Sequence, residues 1–302
     1  MTRRGWLLFL AMGLIWGIPY LLIRVAVDEL APTTLVFART ALASVLLLPL
    51  AIARGDLRSA LTAWRPVVLF AVVEIMIPWV LLAIVEQRLS SSLTALLIAS
   101  VPLVGAVLAL LTRADDRLDR RRLAGLLLGL AGVGALVGFE VGGNVAAVGG
   151  AAVVAVCYAT GPLILSRWLS QLPGLGVIAA SMALTAVCYL PFGVAQAPRH
   201  WPRATVTLSV IGLAVVCTAV AFLVFFELIA EVGPTRSTVI TYINPAVAVL
   251  LGVTLLDEAF TAGTAAGFVL ILAGSVLATR RPSAAAQPRP LEDVPVCAVA
   301  EP

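Results

Sequence analysis

Residues 100–108 read SVPLVGAVL and residues 243–250 read INPAVAVL; further on, residues 125–136 read GLLLGLAGVGAL and residues 267–278 read GFVLILAGSVLA. Pro102 falls opposite Pro245, Gly125 opposite Gly267, Ala131-Gly132 opposite Ala273-Gly274, and Pro49 opposite Pro191. The offset stays at 142 or 143 residues throughout, so the chain reads as two copies of one unit. Apolar runs of about 20 residues, the length a helix needs to cross the hydrocarbon of a bilayer, recur along the whole chain. They fall near 6–27, 32–53, 66–86, 90–111, 122–140, 146–167, 174–194, 206–229, 236–256 and 262–279. Five lie in residues 1–140 and five in residues 146–280. Five is odd, so the second copy must enter the membrane from the opposite side. The sequence therefore predicts an all-α membrane protein of ten transmembrane helices, built as two inverted five-helix repeats. Residues 281–302 are Pro/Ala-rich and unpatterned, and are expected to form a disordered cytoplasmic tail.

Composition excludes a soluble body. Of 302 residues 61% are hydrophobic and 12% charged, with mean hydropathy +1.08, against about 25% charged in soluble domains. The lipid bilayer is the missing solvent. All 20 basic residues are Arg, scattered through short loops rather than gathered on a basic face, so nucleic acid is not an expected partner. Of the four cysteines, Cys157, Cys188 and Cys217 lie in apolar runs and Cys297 in the tail; none forms a C-x-x-C, and they read as buried free thiols. His200 is the sole histidine, so neither a metal nor a cofactor is expected. The run from Trp6 to Ile23 behind Arg3 and Arg4 is too long for a signal-peptide core and reads as a retained first helix.

The arginines orient the chain. With the N-terminus in the cytoplasm, inner segments hold 15 of them; the outer loops hold Arg88, Arg199 and Arg203, and Arg24 and Arg39 fall inside spans. This positive-inside bias predicts that both termini are cytoplasmic, in a bacterial inner membrane.

Ionisable groups inside spans are the sharpest local signal, because each costs at least ~2.5 kcal/mol at a helix centre. Glu74 lies about 3 Å from the middle of the third span at the helical rise. Desolvation there favours a neutral carboxyl, which suits it to carrying a proton. Arg39, in the second span, is its candidate partner across an axial gap of roughly 8 Å; it can clamp the bundle or bind a substrate carboxylate. Arg24, Glu86 and Glu227 lie nearer span ends, where their side chains can snorkel to the interface. Pro19, Pro78, Pro102, Pro162 and Pro245 each remove a donor to the carbonyl four residues back and are expected to kink helices at a cavity wall or gate. Beside them, Trp16, Tyr20, Trp79, Ser100, Tyr158, Tyr242 and Asn244 are candidates for the pathway lining, with bundle packing as the competing role of each. Glycine pairs such as Gly13/Gly17, Gly125/Gly129, Gly134/Gly138 and Gly263/Gly267 permit close helix approach, within the monomer or across a possible homodimer face.

Several stretches resemble the EamA-type branch of the drug/metabolite transporter superfamily. They are Trp16-Gly17, Phe37-Ala38-Arg39, Ser90-Ser91-Ser92 before the Pro102 helix, and the Asn244-Pro245 helix ending at Leu255-Leu256-Asp257-Glu258. The resemblance covers nearly the whole chain except the tail. The family usually has Gly before that last Glu, where this chain has Asp257; the matching place near Arg113-Ala114-Asp115 departs further. The resemblance implies a transporter, most often an exporter, of a small metabolite, amino acid or drug. By mechanism this would be secondary transport by alternating access around a midplane site, since no G-x-x-x-x-G-K-[ST] is present to bind nucleotide. Glu74 is the candidate proton carrier. Competing readings are an uptake carrier, a passive facilitator and a non-transporting membrane interaction protein. An intramembrane enzyme is not expected, because paired aspartates on facing helices, G-x-S-x-G and H-E-x-x-H are all lacking. The two halves differ at the charges: Glu74 falls opposite Cys217, and Arg39 opposite the uncharged stretch Ala180–Met182.

Overall fold

A computed structural model describes residues 2–111, 120–140, 144–233 and 237–279. The expected tail and the Arg113-Ala114-Asp115 stretch lie outside the described residues. Among the described residues nine helices are long and apolar enough to cross a membrane: α1 (Arg3–Ala26), α2 (Pro32–Ala53), α3 (Trp64–Glu86), α4 (Ser91–Leu111), α5 (Arg120–Gly138), α6 (Val145–Leu169), α7 (Gly174–Ala195), α8 (Ala204–Val232) and α10 (Ala262–Thr279). A shorter apolar helix, α9 (Ile240–Leu255), completes the ten. Strands are absent from the described residues.

Helix starts follow local chemistry. The Thr2 hydroxyl accepts from the Gly5 amide at 2.9 Å and Ser90 Oγ from the Leu93 amide at 3.2 Å, each satisfying a donor the first helical turn leaves free. Pro32 opens α2, where a missing N–H is harmless.

Packing repeats itself between the halves. α2 lies along α7 and α5 along α10, each helix against its own counterpart; α4 meets α9, and the α1–α8 contact is mirrored by α6–α3. Glycines allow the closest of these approaches. A Cβ on Gly274 would stand 2.6 Å from the Gly125 carbonyl, and one on Gly17 2.5 Å from Val247 Cβ. These glycines are therefore used inside the chain, whereas Gly134 and Gly138 meet nothing within 4 Å.

We call the face that carries the N-terminus the near face. There Arg4 pairs with Glu227 at 2.5 Å, tying α1 to α8. On the far face Glu29 accepts from the Arg203 backbone N–H at 2.9 Å and pairs with its guanidinium. Outward side chains are apolar, among them Leu7, Val45, Leu130 and Val187. Exposed Trp6, Trp64 and Trp168 ring the near end, as interfacial anchors do. Cys188 also points outward, not into the core as its apolar run suggested; it shares the lipid-directed side of α7 with Val187.

Four of the five prolines begin a new helical segment: Pro19, Pro78, Pro102 and Pro245 stand at its first or second residue. Pro162 sits inside α6, just before a wide turn over Leu165–Leu169. Asn244-Pro245 opens the α-helical part of α9 after a tight turn over Thr238–Tyr242, so it lies near one end of that helix rather than at its middle.

Candidate functional site

Helix α3 changes pitch at its centre. Trp64–Phe70 is α-helical, Ala71–Met76 forms a π turn, and Ile77–Glu86 is α-helical again. Pro78 supplies no N–H to the turn before it, and the wider pitch accommodates that loss. The Tyr189 hydroxyl of α7 donates to the Met76 carbonyl at 3.0 Å. Helix α8 carries a π turn at Val215–Val220, 144 residues on. It has no proline. Instead the Thr218 hydroxyl donates to the Leu213 carbonyl, five residues back, at 2.7 Å. The matched turns set Glu74 opposite Thr218, one residue beyond Cys217.

Four of the candidate residues meet between these turns. Arg39 is 7% exposed; its Nε donates to Thr218 Oγ1 at 3.0 Å, and its guanidinium lies 3.5 Å from the centre of the Trp79 ring. Pro78 starts the segment that presents Trp79. Tyr158 of α6, three residues before Gly161, packs against both large core clusters. Glu74 Oε2 is buried and has no hydrogen-bond partner. Its carboxyl fills the space where a side chain on Gly161 would stand. The candidate pairing of Arg39 with Glu74 does not form: no ion pair joins them among the described residues, because the guanidinium is drawn to Thr218 and Trp79. The centre thus holds a fixed cation without an acid on it and a carboxyl without a donor on it.

The other candidates are dispersed. Tyr20 is buried in the core cluster against which Tyr158 packs. Trp16 packs on Phe225, with ring centres 4.8 Å apart. The Asn244 side-chain amide faces the carbonyls of Ile240 and Gly13; with its nitrogen turned toward them it donates to both, at 3.0 and 3.1 Å, stitching α9 to α1. Ser100 Oγ donates to the Leu97 carbonyl at the bend in α4. Tyr242 reaches Thr279 at 2.9 Å on the near face, away from the centre. Sequence reasoning missed Thr218, Gly161 and Tyr189. None of the three had a signal of its own: the constant sequence offset points from Glu74 to Cys217, and only the spacing of the two π turns brings Thr218 opposite it.

At the far face the two copies are joined directly. Glu258, after α9, accepts from the backbone N–H groups of Ser91 (2.7 Å) and Ser92 (2.9 Å) and from the Ser92 hydroxyl (2.5 Å). The carboxylate thereby caps α4, where backbone donors and helix dipole both favour negative charge. Asp257 before it takes φ +54°, the left-handed conformation that glycine adopts freely. Glu86 does not snorkel, as its place at a span end suggested. It is fully buried, turned into the bundle toward Tyr20 and Glu258, whereas Arg24 reaches the surface and pairs with Asp28 at 3.2 Å. A cavity of about 330 Å³ opens here, lined by Arg24, Asp28, Gln87, Arg88, Ser90 and Glu258 among others.

Ten apolar helices in two inverted copies, with buried charge at their shared centre, define a multi-pass membrane protein of the inverted-repeat carrier class. The family model of the EamA-like transporter family matches residues 3–138 and again residues 146–280, and the chain belongs to that family. It is 28% identical over 254 residues to the uncharacterized inner membrane transporter YedA of Escherichia coli K12, covering 80% of this chain and 79% of the relative. It is 22% identical over 283 residues to the uncharacterized transporter YvbV of Bacillus subtilis 168, covering 92% of each. A crystal structure of a protein 22% identical superposes with TM-score 0.64 over 92% of this chain and 97% of the other, a likeness of fold.

Proposed function

We propose that this membrane transporter is a secondary active exporter of a small metabolite, amino acid or drug. In this reading the two copies rock about the Arg39–Trp79–Tyr158–Glu74 cluster, and Glu74 carries a proton. The observation behind it is the half-buried Glu74, whose Oε2 is sealed from solvent with no hydrogen-bond partner and lies over the open side of Gly161. A carboxyl held there by no donor can exchange a proton without first breaking a structural bond. Arg39 keeps its charge at any working pH and is free of acidic partners, so it suits an anionic group of the substrate. The pitch changes at Ala71–Met76 and Val215–Val220 lie where each copy would flex.

We further propose an inner-membrane location with both termini in the cytoplasm. The near face is then the cytoplasmic one, in keeping with 15 arginines on that side against three on the other. Export rather than uptake rests on the family's usual direction.

Efflux of labelled amino acids, organic acids and cationic drugs from proteoliposomes, with and without a pH gradient, tests the reading. Wild type should move at least one class faster with the gradient. Glu74→Gln should lose that acceleration. If no compound moves, the transporter reading of this chain fails; if Glu74→Gln responds to the gradient like wild type, the proton role of Glu74 fails alone.

A further inference from the structure

The inverted repeat places two arginines at the same corner of each copy. On the far face the second half of α1 packs against the start of α8. There Arg24, near the end of α1, pairs with Asp28 at 3.2 Å, and Arg203, immediately before α8, pairs with Glu29. The matching corner on the near face joins the end of α6, over Leu165–Leu169, to the start of α3, over Trp64–Phe70. Pro19 falls opposite Pro162 and Arg24 opposite Arg167, each at an offset of 143. Arg65, the second residue of α3, corresponds in place to Arg203 at the start of α8. The acids are not repeated. Leu30 falls opposite Leu172 at an offset of 142, which sets Asp28-Glu29 opposite the uncharged Ser170-Gln171.

Arg65 and Arg167 are therefore exposed cations without the carboxylates that their counterparts hold. Among the described residues neither forms an ion pair. Arg54 and Arg58, on the connection from α2 to α3, add exposed positive charge, against the single acid Asp56. Glu227 and Glu231, at the near end of α8, are held by Arg4. Each of the two arginines lies beside an exposed tryptophan: Arg65 is 5.4 Å from the centre of the Trp64 ring and Arg167 5.5 Å from that of Trp168. Tryptophans so placed sit at the depth of lipid headgroups. Four residues deeper stands an outward leucine, Leu69 on α3 and Leu163 on α6. That spacing keeps each leucine on the same side of its helix as the arginine, at the depth of the acyl chains.

We propose that the near ends of α3 and α6 form a docking surface for anionic phospholipids of the phosphatidylglycerol type. Arg65 and Arg167 meet the headgroup phosphates, and the acyl chains lie along Leu69 and Leu163. A zwitterionic headgroup brings its own ammonium and leaves the excess positive charge unbalanced. A soluble anion would gain nothing from the tryptophans and leucines. At the far corner the protein supplies the anions, Asp28 and Glu29; at the near corner the bilayer supplies them. The surface lies on the two helices whose Glu74 and Gly161 meet deeper in the membrane, so lipid bound there steadies the near ends of that pair. Lipid binding does not rest on the transport mechanism proposed above.

The test is thermal unfolding of the purified full chain in detergent micelles doped with phosphatidylglycerol or, at the same mole fraction, phosphatidylcholine. Wild type should unfold at a higher temperature in phosphatidylglycerol, with saturation, and respond little to phosphatidylcholine. Arg65→Gln and Arg167→Gln should each raise the half-saturating lipid fraction about fivefold, and the double variant should lose most of the increment. Gln171→Glu keeps both arginines and serves if the double variant does not fold. It puts an acid where the first copy has Glu29 and should also raise the half-saturating fraction. Arg203→Gln, at the far corner, should respond to lipid like wild type. Four results would each overturn the surface: an equal response to the two lipids, a response unchanged in the Arg65, Arg167 and Gln171 variants, an equal loss in Arg203→Gln, or full reproduction of the increment by inorganic phosphate without lipid.

Discussion

The π turns at Ala71–Met76 and Val215–Val220 occupy the same place in the two copies, yet they are built and furnished differently. The first leans on Pro78 and carries Glu74, whose carboxyl has no donor. The second leans on the Thr218 hydroxyl, which also receives Arg39 from the first copy. The backbone geometry is duplicated while the chemistry is not. An inverted repeat needs matching hinges to move symmetrically, but a substrate that is not itself symmetric is better met by unmatched charges.

The largest effect should come from removing the arginine that reaches across the copies. Arg39→Ala takes away a charged hydrogen bond and a buried cation–π contact, and should destabilise the fold by about 3 kcal/mol. Its counterpart on α7 is the buried Ser181, whose hydroxyl has no partner. Ser181→Ala should therefore leave the unfolding temperature in detergent unchanged or slightly higher. Equal losses at both positions would break the comparison.

A smaller effect is expected at Gly161. Gly161→Ala puts a methyl into the space held by the Glu74 carboxyl and should cost about 1–3 kcal/mol. Combining it with Glu74→Ala should recover much of that loss in the same assay. Additive losses would place the strain elsewhere.

Next in size is Asp257, which sits in the left-handed region where the family usually has glycine. Asp257→Gly should raise stability by about 1 kcal/mol. Any decrease would mean that the aspartate side chain supports the Glu258 cap.

The smallest effect concerns the far-face loops. Hydrogen bonding by Arg203, from side chain and backbone, holds the Glu29 carboxyl below the usual carboxylate range. A depressed carboxylate contributes stability above its unfolded pKa and loses it as pH falls through the folded one. Wild type and Glu29→Gln should therefore differ slightly at neutral pH, and their unfolding temperatures should converge in acid. A gap that persists at low pH would contradict the contact.

Much of this was legible in the sequence, and the reasons differ by residue. The ten helices follow from apolar length, and the inversion from an odd count in a constant offset. Glu74, Arg39, Trp79 and Tyr158 were legible because each is polar or aromatic in an apolar run or beside a proline. Their mutual contacts were not, since which face of a fully apolar helix turns inward leaves no periodic trace. That is also why Glu86 read as an interfacial residue and proved fully buried. Thr218 and Gly161 matter through what they touch, a hydroxyl and an empty side-chain position that carry no signal alone. Tyr242 and Asn244 had the right chemistry but stand at the near end of α9, because that helix begins later than its apolar run suggests.

The claim that the first copy carries the chemistry within a symmetric scaffold is tested most directly by pH-gradient-driven efflux from proteoliposomes holding Glu74→Gln or Thr218→Ser. The two substitutions fall at matching positions, and Thr218→Ser keeps the hydroxyl that Arg39 uses. Glu74→Gln should lose the response to the gradient while Thr218→Ser keeps it. A full response in Glu74→Gln, or its loss in Thr218→Ser alone, would contradict the account.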